Sequence, residues 1–273
     1  MGKKQVMTQA IDVHAHYGAD KNGASEMLRR FYSGGLNVVL ERARRAGTLL
    51  SIVSPLEALM PRHNADPVAG NKHAAKKIAA TKGTLQYVVV DPLKPETFDQ
   101  ASEMLGQPHC VGIKIHPEEH GYPITRHGET IFKFAAERHA VVQSHSGEQN
   151  SLPEDFVPFA DRFPEVTLIV SHLGCGWDGD PTHQVRAIQK AKHRNIYTDT
   201  SSAMSITSGL IEWAVKEAGA DRILYGTDSP LYFAPMQRAR IDNADISDAD
   251  KRLILRKNAE ALFGLTKILK GLE

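Results

Sequence analysis

The chain places a nitrogen or oxygen donor near the end of one short apolar run after another. His14 and His16 lie in AIDVHAH, Lys114 and His116 in VGIKIHP, His145 in VVQSHSG, His172 in TLIVSHLG and Asp228 in ILYGTDSP. A buried strand strips such groups of water, so the fold must give them partners, and a metal ion is an economical one. Strand residues two apart share a face, so His14 and His16 can both ligate one ion. The same alternation groups Gln143 with His145, Leu168 and Val170 with His172, and Gly226 with Asp228. It turns Gly112, Lys114 and His116 away from the apolar face of Val111, Ile113 and Ile115. The Lys114 amine then points inward, where burial disfavours its charge unless it is paired.

The elements that must hold these residues alternate regularly. Short β-branched runs near 9–15, 48–54, 84–91, 110–116, 140–146, 166–172, 195–200 and 222–228 predict eight strands. Helix-period segments fall between them at 24–46 (broken at Gly34 and Gly35), 67–82, 95–106, 128–139, 153–163, 181–193 and 207–218, with a last one at 247–263. Eight βα units close a parallel barrel, which predicts an α/β fold of the (β/α)8 TIM-barrel class, one domain over residues 1–273. The polar residues then stand at the C-terminal ends of the strands, the face where barrel enzymes carry their active sites. An open doubly wound sheet that bound nucleotide would need a Gly-rich phosphate fingerprint after a strand, and the sequence has none.

Composition narrows the function classes. A net charge of +1 over 273 residues leaves no electrostatic footprint for nucleic acid or an anionic membrane. The cluster Arg42, Arg44 and Arg45 reads as a solvated helix face. Two cysteines, Cys110 and Cys175, form no disulfide framework or zinc-finger spacing, which makes a reducing, cytoplasmic setting the default and both thiols ordinary small buried groups. The opening MGKKQVMTQA lacks the apolar core of a signal peptide, Val6 stands where a myristoylation signal wants Ser or Thr, and no run is long enough to span a bilayer. The expected partner is a small molecule; oligomeric state is left open, a homodimer included. Loops 118–125, 148–155 and 174–181 follow donor-bearing strands and are candidate cavity walls, where Trp177 could stack on a ring and Arg126 or His120 could hold an acid group.

Taken in order, IDVHAH, GIKIHP, SHSG, SHLG, YGTDSP and the closing NAEALFG resemble the amidohydrolase superfamily, in its amidohydrolase-related branch of metal-dependent hydrolases and non-oxidative decarboxylases. The resemblance spans nearly the whole chain. It implies a divalent metal, with His14 and His16 as first-strand ligands, His145 as the fifth-strand ligand, His172 as the sixth-strand histidine and Asp228 as the eighth-strand aspartate. Three imidazoles and a carboxylate suit zinc best, and also manganese, iron, cobalt or nickel. In binuclear relatives a lysine in the place of Lys114 is carbamylated and bridges two ions. The favoured arrangement here is one ion, with Lys114 and His116 on the substrate side.

The first functional expectation is hydrolysis of an ester, lactone or amide. Coordination lowers the pKa of bound water from about 15.7 to about 7, Asp228 can carry the proton to the leaving group, and His172 can hydrogen-bond the developing oxyanion. The alternative is a lyase, a metal-dependent decarboxylase of a small carboxylic acid, aromatic or not, in which His172 or Asp228 protonates carbon. The third expectation is a non-catalytic barrel that binds metal.

Overall fold

The computed structural model describes residues 7–21, 25–60 and 65–273, so Val6 and Ala24 lie outside the described residues. Eight parallel strands follow one another in chain order: β1 (Ala10–Tyr17), β2 (Thr48–Pro55), β3 (Thr84–Val89), β4 (Cys110–Ile115), β5 (Val141–Ser144), β6 (Leu168–Val170), β7 (Ile196–Asp199) and β8 (Ile223–Leu224). The ring closes because β1 also bonds to the chain after β8: the Val13 amide donates to the Tyr225 carbonyl at 2.9 Å, and the Asp228 amide to the His14 carbonyl at 2.7 Å. Helices lie between successive strands, so the molecule is the expected (β/α)8 barrel.

Alternation along the strands divides the core in two. Ile113, Ile115, Val142, Leu168, Val170 and Ile223 pack outward against helix residues such as Phe132, Phe156, Ile211 and Ile254. Ile11, Leu50, Ile52, Leu85, Tyr87, Ile169 and Leu224 form a separate cluster. Its members come from strands on opposite sides of the ring, so they meet through the barrel interior and fill its floor.

Register shifts in two strand pairs modify the simple alternation. In β1, Asp12 pairs with Ser51 and Ala15 with Val53, so three residues advance against two. This bulge lets Ile11 and Val13 fill the floor while His14 and His16, of opposite parity, also turn inward above them. Between β3 and β4, Gln86 pairs with Cys110 but Tyr87 with Gly112. Val111 therefore packs with the floor cluster and not with Ile113 and Ile115, contrary to the single apolar face expected.

The helices mostly match the expected segments, with differences at their ends. Helix 124–138 starts four residues before Gly128, behind Pro123, and the segment 181–193 is helical only over 183–190. Helix Ala234–Asp242 has no counterpart in the sequence reading, because its inward face is polar: Gln237 bonds to Ser202 and Ser205, and Arg238 to Asp242. On helix Leu36–Arg45, Leu36 and Val39 are core, Val38 is exposed, and Arg44 and Arg45 are exposed as expected. Among the described residues no helix is long and apolar enough to cross a membrane.

Candidate functional site

At the C-terminal mouth of the barrel a cavity of about 420 Å³ is lined by His14, His16, Lys114, His116, His145, His172 and Asp228, the seven residues expected from sequence. Within it His14 Nε2 lies 3.2 Å from His16 Nε2, and Asp228 Oδ1 lies 3.0 Å from His16 Nε2 and 3.7 Å from His14 Nε2. His145 stands one ring further along. Its Nδ1 is 3.0 Å from His172 Nε2, and its ring stacks on His116 at 4.0 Å between centroids. Among the described residues, His14, His16 and Asp228 form one group able to hold a metal; His145 is outside it, so three of the four expected ligands converge.

The residues present fit a divalent cation. His16 Nδ1 lies 3.1 Å from the Ser54 carbonyl, which can only accept, so the ring proton sits there and Nε2 carries a lone pair. That lone pair, the His14 nitrogen and the Asp228 carboxylate face one another at contact distance, an arrangement that repels itself unless a positive charge joins it. Two imidazoles and a carboxylate suit zinc, manganese or iron alike and select none of them. The Lys114 amine, 3.0 Å from His14 Nε2, brings one positive charge to the same spot.

Burial tunes these groups. It pushes His14 down to about 4, with Lys114 adding to the effect, and brings Lys114 down to about 8 against the pull of Asp199 and Asp228. For Asp228 burial acts upward, but its contact with His16 and the nearby histidines His14 and His172 hold the carboxyl down at about 2. His116 and His172 both lie well below the ordinary histidine range, through burial and then their neighbour His145. At neutral pH the site therefore offers neutral rings at His14, His116 and His172, the Asp228 carboxylate and the Lys114 ammonium.

Local backbone decides where two of these side chains point. Strict alternation would send His172 outward with Leu168 and Val170. Instead β6 ends at Val170, and His172 adopts a left-handed conformation (φ +71°) that swings its ring inward, 4.9 Å from that of His14. Asp228 is also left-handed (φ +55°), pinned by its amide's bond to the His14 carbonyl.

Several site residues were not singled out from sequence. Asp199, at the end of β7, is fully buried beneath His14 and His172 and bonded to Ser201. Burial acts to raise its carboxyl, but His14, His172 and Ser201 together hold it well below the usual range. The signal was available: Asp199 ends an alternating strand as Asp228 does. The apolar wall of Leu56, Leu59, Met60, Leu231 and Tyr232 comes from the short helix Leu56–Leu59 with its cap after β2 and from the loop after β8, and no sequence motif marks it.

The expected walls are partly realised. Glu118, Glu119, Glu148 and Cys175 line the cavity, so Cys175 is half-buried at the site, unlike the ordinary buried Cys110. Trp177, Arg126 and His120 do not line it. Trp177 and Arg126 are exposed, and His120 is buried against the Leu59 carbonyl.

Comparison with known proteins agrees with this fold. A 122-residue stretch is 33% identical to the gamma-resorcylate decarboxylase of Polaromonas sp. strain JS666, a match that covers 39% of this chain and 37% of that protein. Among solved structures, a manganese-bound dihydroxybenzoic acid decarboxylase from Polaromonas sp. JS666, in complex with the inhibitor 2-nitroresorcinol, superposes with a TM-score of 0.74 at 16% identity, over 96% of this chain and 99% of that one. A 2,6-dihydroxybenzoate decarboxylase from Rhizobium gives 0.73 at 16% identity, over 95% and 99%. At such identities these structures establish the fold. The amidohydrolase family model matches residues 11–265, nearly the whole barrel, and the chain therefore belongs to the amidohydrolase family.

Proposed function

We propose that this enzyme is a metal-dependent, non-oxidative decarboxylase of a small aromatic carboxylic acid. His14, His16 and Asp228 form the core of the ligand set, with His145 as the remaining candidate ligand, and Lys114 and His116 receive the substrate. The observation that carries the reading is the pairing, on one cavity floor, of a His–His–Asp group with a buried lysine amine beneath an apolar wall. An amine beside the ligands suits an anionic substrate, and the wall of Leu56, Leu59, Met60, Leu231 and Tyr232 suits a flat ring. The printed activities of the relatives support the same choice over ester, lactone or amide hydrolysis, the first expectation from sequence.

A bound divalent ion would supply a fixed positive charge for the carboxylate and an adjacent oxygen, and manganese is the metal seen in a similar structure. Lys114 and His116 orient the acid so that the bond to be broken faces the ring-exposing side of the cavity. Asp228, ionised at neutral pH, takes up a proton from solvent and delivers it to the ring carbon bearing the carboxylate. The carbon–carbon bond then breaks, its electron pair returns to the ring, and carbon dioxide leaves; carboxylate and one solvent proton in, arene and carbon dioxide out. His172 is the other group placed to move that proton.

The test is one preparation, loaded with manganese, offered a panel of hydroxybenzoates and a panel of lactones, esters and amides. Carbon dioxide release from a hydroxybenzoate without hydrolysed product supports the decarboxylase. Hydrolysed product without carbon dioxide would restore the hydrolase. Bound metal with no turnover on either panel would leave the non-catalytic barrel.

A further inference from the structure

Asp199 is a buried acid at the mouth that the proposed reaction does not use. Its Oδ1 accepts from the backbone amides of His172 (3.2 Å) and Ser201 (3.0 Å) and from the Ser201 hydroxyl; its Oδ2 faces His14 Nδ1 (3.0 Å) and Gln143 Nε2 (3.4 Å). Backbone amides can only donate, so Oδ1 is fixed as an acceptor and the carboxylate cannot turn over. Ser201 has one hydroxyl proton, and it is engaged by Asp199. Ser201 Oγ can then meet His172 Nδ1, 2.8 Å away, only as an acceptor. This places the His172 proton on Nδ1 and leaves Nε2 to accept from His145 Nδ1. In the same way Oδ2 takes the Nδ1 proton of His14 and leaves its Nε2 as a lone pair toward His16 and Asp228.

We propose that Asp199 is the positioning residue that sets the tautomers of His14, directly, and of His172, through Ser201, so that the His14 Nε2 lone pair faces the metal position. The inference rests on the metal-centre reading above. It also accounts for the second group with metal-like spacing, His14, His172 and Asp199: these atoms already bond to one another or through Ser201, as a clamp and not as a second ion site.

The geometry makes the Asp199→Asn variant informative. Its oxygen must stay opposite the two backbone amides, so its NH2 lands where Oδ2 was and donates to His14 Nδ1. His14 is then forced to carry its proton on Nε2, against the ion. Outer carboxylate partners of ligand histidines are worth about 10- to 100-fold in metal affinity. Manganese affinity, read by competition with a chromogenic chelator, is expected to fall by about that factor in Asp199→Asn while the protein still unfolds cooperatively. Imidazole ¹⁵N spectra of the metal-free protein should show His14 protonated at Nδ1 in the wild type and at Nε2 in the variant. Ser201→Ala, which removes a 3.1 Å contact to His14 Nδ1 but keeps the Asp199 bond to it, should cost clearly less manganese affinity than Asp199→Asn.

Unchanged affinity and tautomer in Asp199→Asn, an Nε2-protonated His14 in the wild type, or a loss in Ser201→Ala equal to that in Asp199→Asn would each overturn the proposal. Should the Asn variant not fold, the wild-type spectrum alone decides. A wild type with the expected tautomer that binds no manganese would sink the metal-centre reading and leave the clamp standing.

Discussion

The floor and the mouth of this barrel are built by the same strands and buried to the same degree, yet they do opposite things. On the floor Ile11, Leu50, Ile52, Leu85 and Leu224 have no polar atoms to satisfy, and each adds stability in proportion to the apolar area removed from water. A few residues further along, His14, His16, Lys114, Asp199 and Asp228 are just as buried, but their positions are set by hydrogen bonds and ion pairs and not by packing. Burial therefore does not separate structure from chemistry here. What separates them is whether the buried atoms can be satisfied by the protein alone. The floor can; at the mouth, His14 Nε2, His16 Nε2 and Asp228 Oδ1 face one another with a net call for positive charge.

The contrast can be broken from the mouth first. Asp228→Ala should lower kcat by about 10²- to 10⁴-fold, the range typical of a lost proton-transfer group, with little change in the urea midpoint of the metal-free protein, as steady-state kinetics and equilibrium unfolding in the presence of chelator would show. A large stability loss alongside would mean that the mouth also holds the fold together. Ile52→Ala, on the floor, should do the reverse, destabilising by about 2–5 kcal/mol in urea unfolding while the folded fraction keeps its kcat.

Manganese should stabilise through the mouth alone. At a concentration about 100 times its Kd it should raise the unfolding free energy by about 2.7 kcal/mol, and His16→Ala should abolish the gain in a thermal melt with and without chelator. The smallest effect is expected outside both regions, at the Arg240–Glu212 pair (2.6 Å). The hydrogen bond from Arg240 brings the Glu212 carboxyl down to about 2, so its contribution is present above the ordinary value of 4.5 and is lost as pH falls toward 2. For a partly exposed pair this is at most about 1 kcal/mol, and Arg240→Ala should flatten that part of an acid titration of stability.

How much of this was legible in the sequence depended on how local the cause was. His14 and His16 share a face because they are two apart on one strand, and Lys114 points inward for the same reason. His172 and Val111 defeated that rule, since a left-handed residue and a register shift re-aimed them and neither leaves a mark in the alternation. Helix Ala234–Asp242 was hidden by its polar inner face. His145 matched its expected strand end, but its contact with His172, which places it beside and not within the His–His–Asp group, is a distance between two strands.

Local pattern, set by the stereochemistry of neighbouring residues, determined the strands, most helices, the barrel class and the identity of seven polar residues at one rim. The tertiary structure decided which of them meet, that Asp199 backs two of the rings, and that an apolar wall from two separate segments closes over them. Those facts depend on groups at opposite ends of the chain, such as His16 and Asp228, whose contact exists only once the ring of strands has closed.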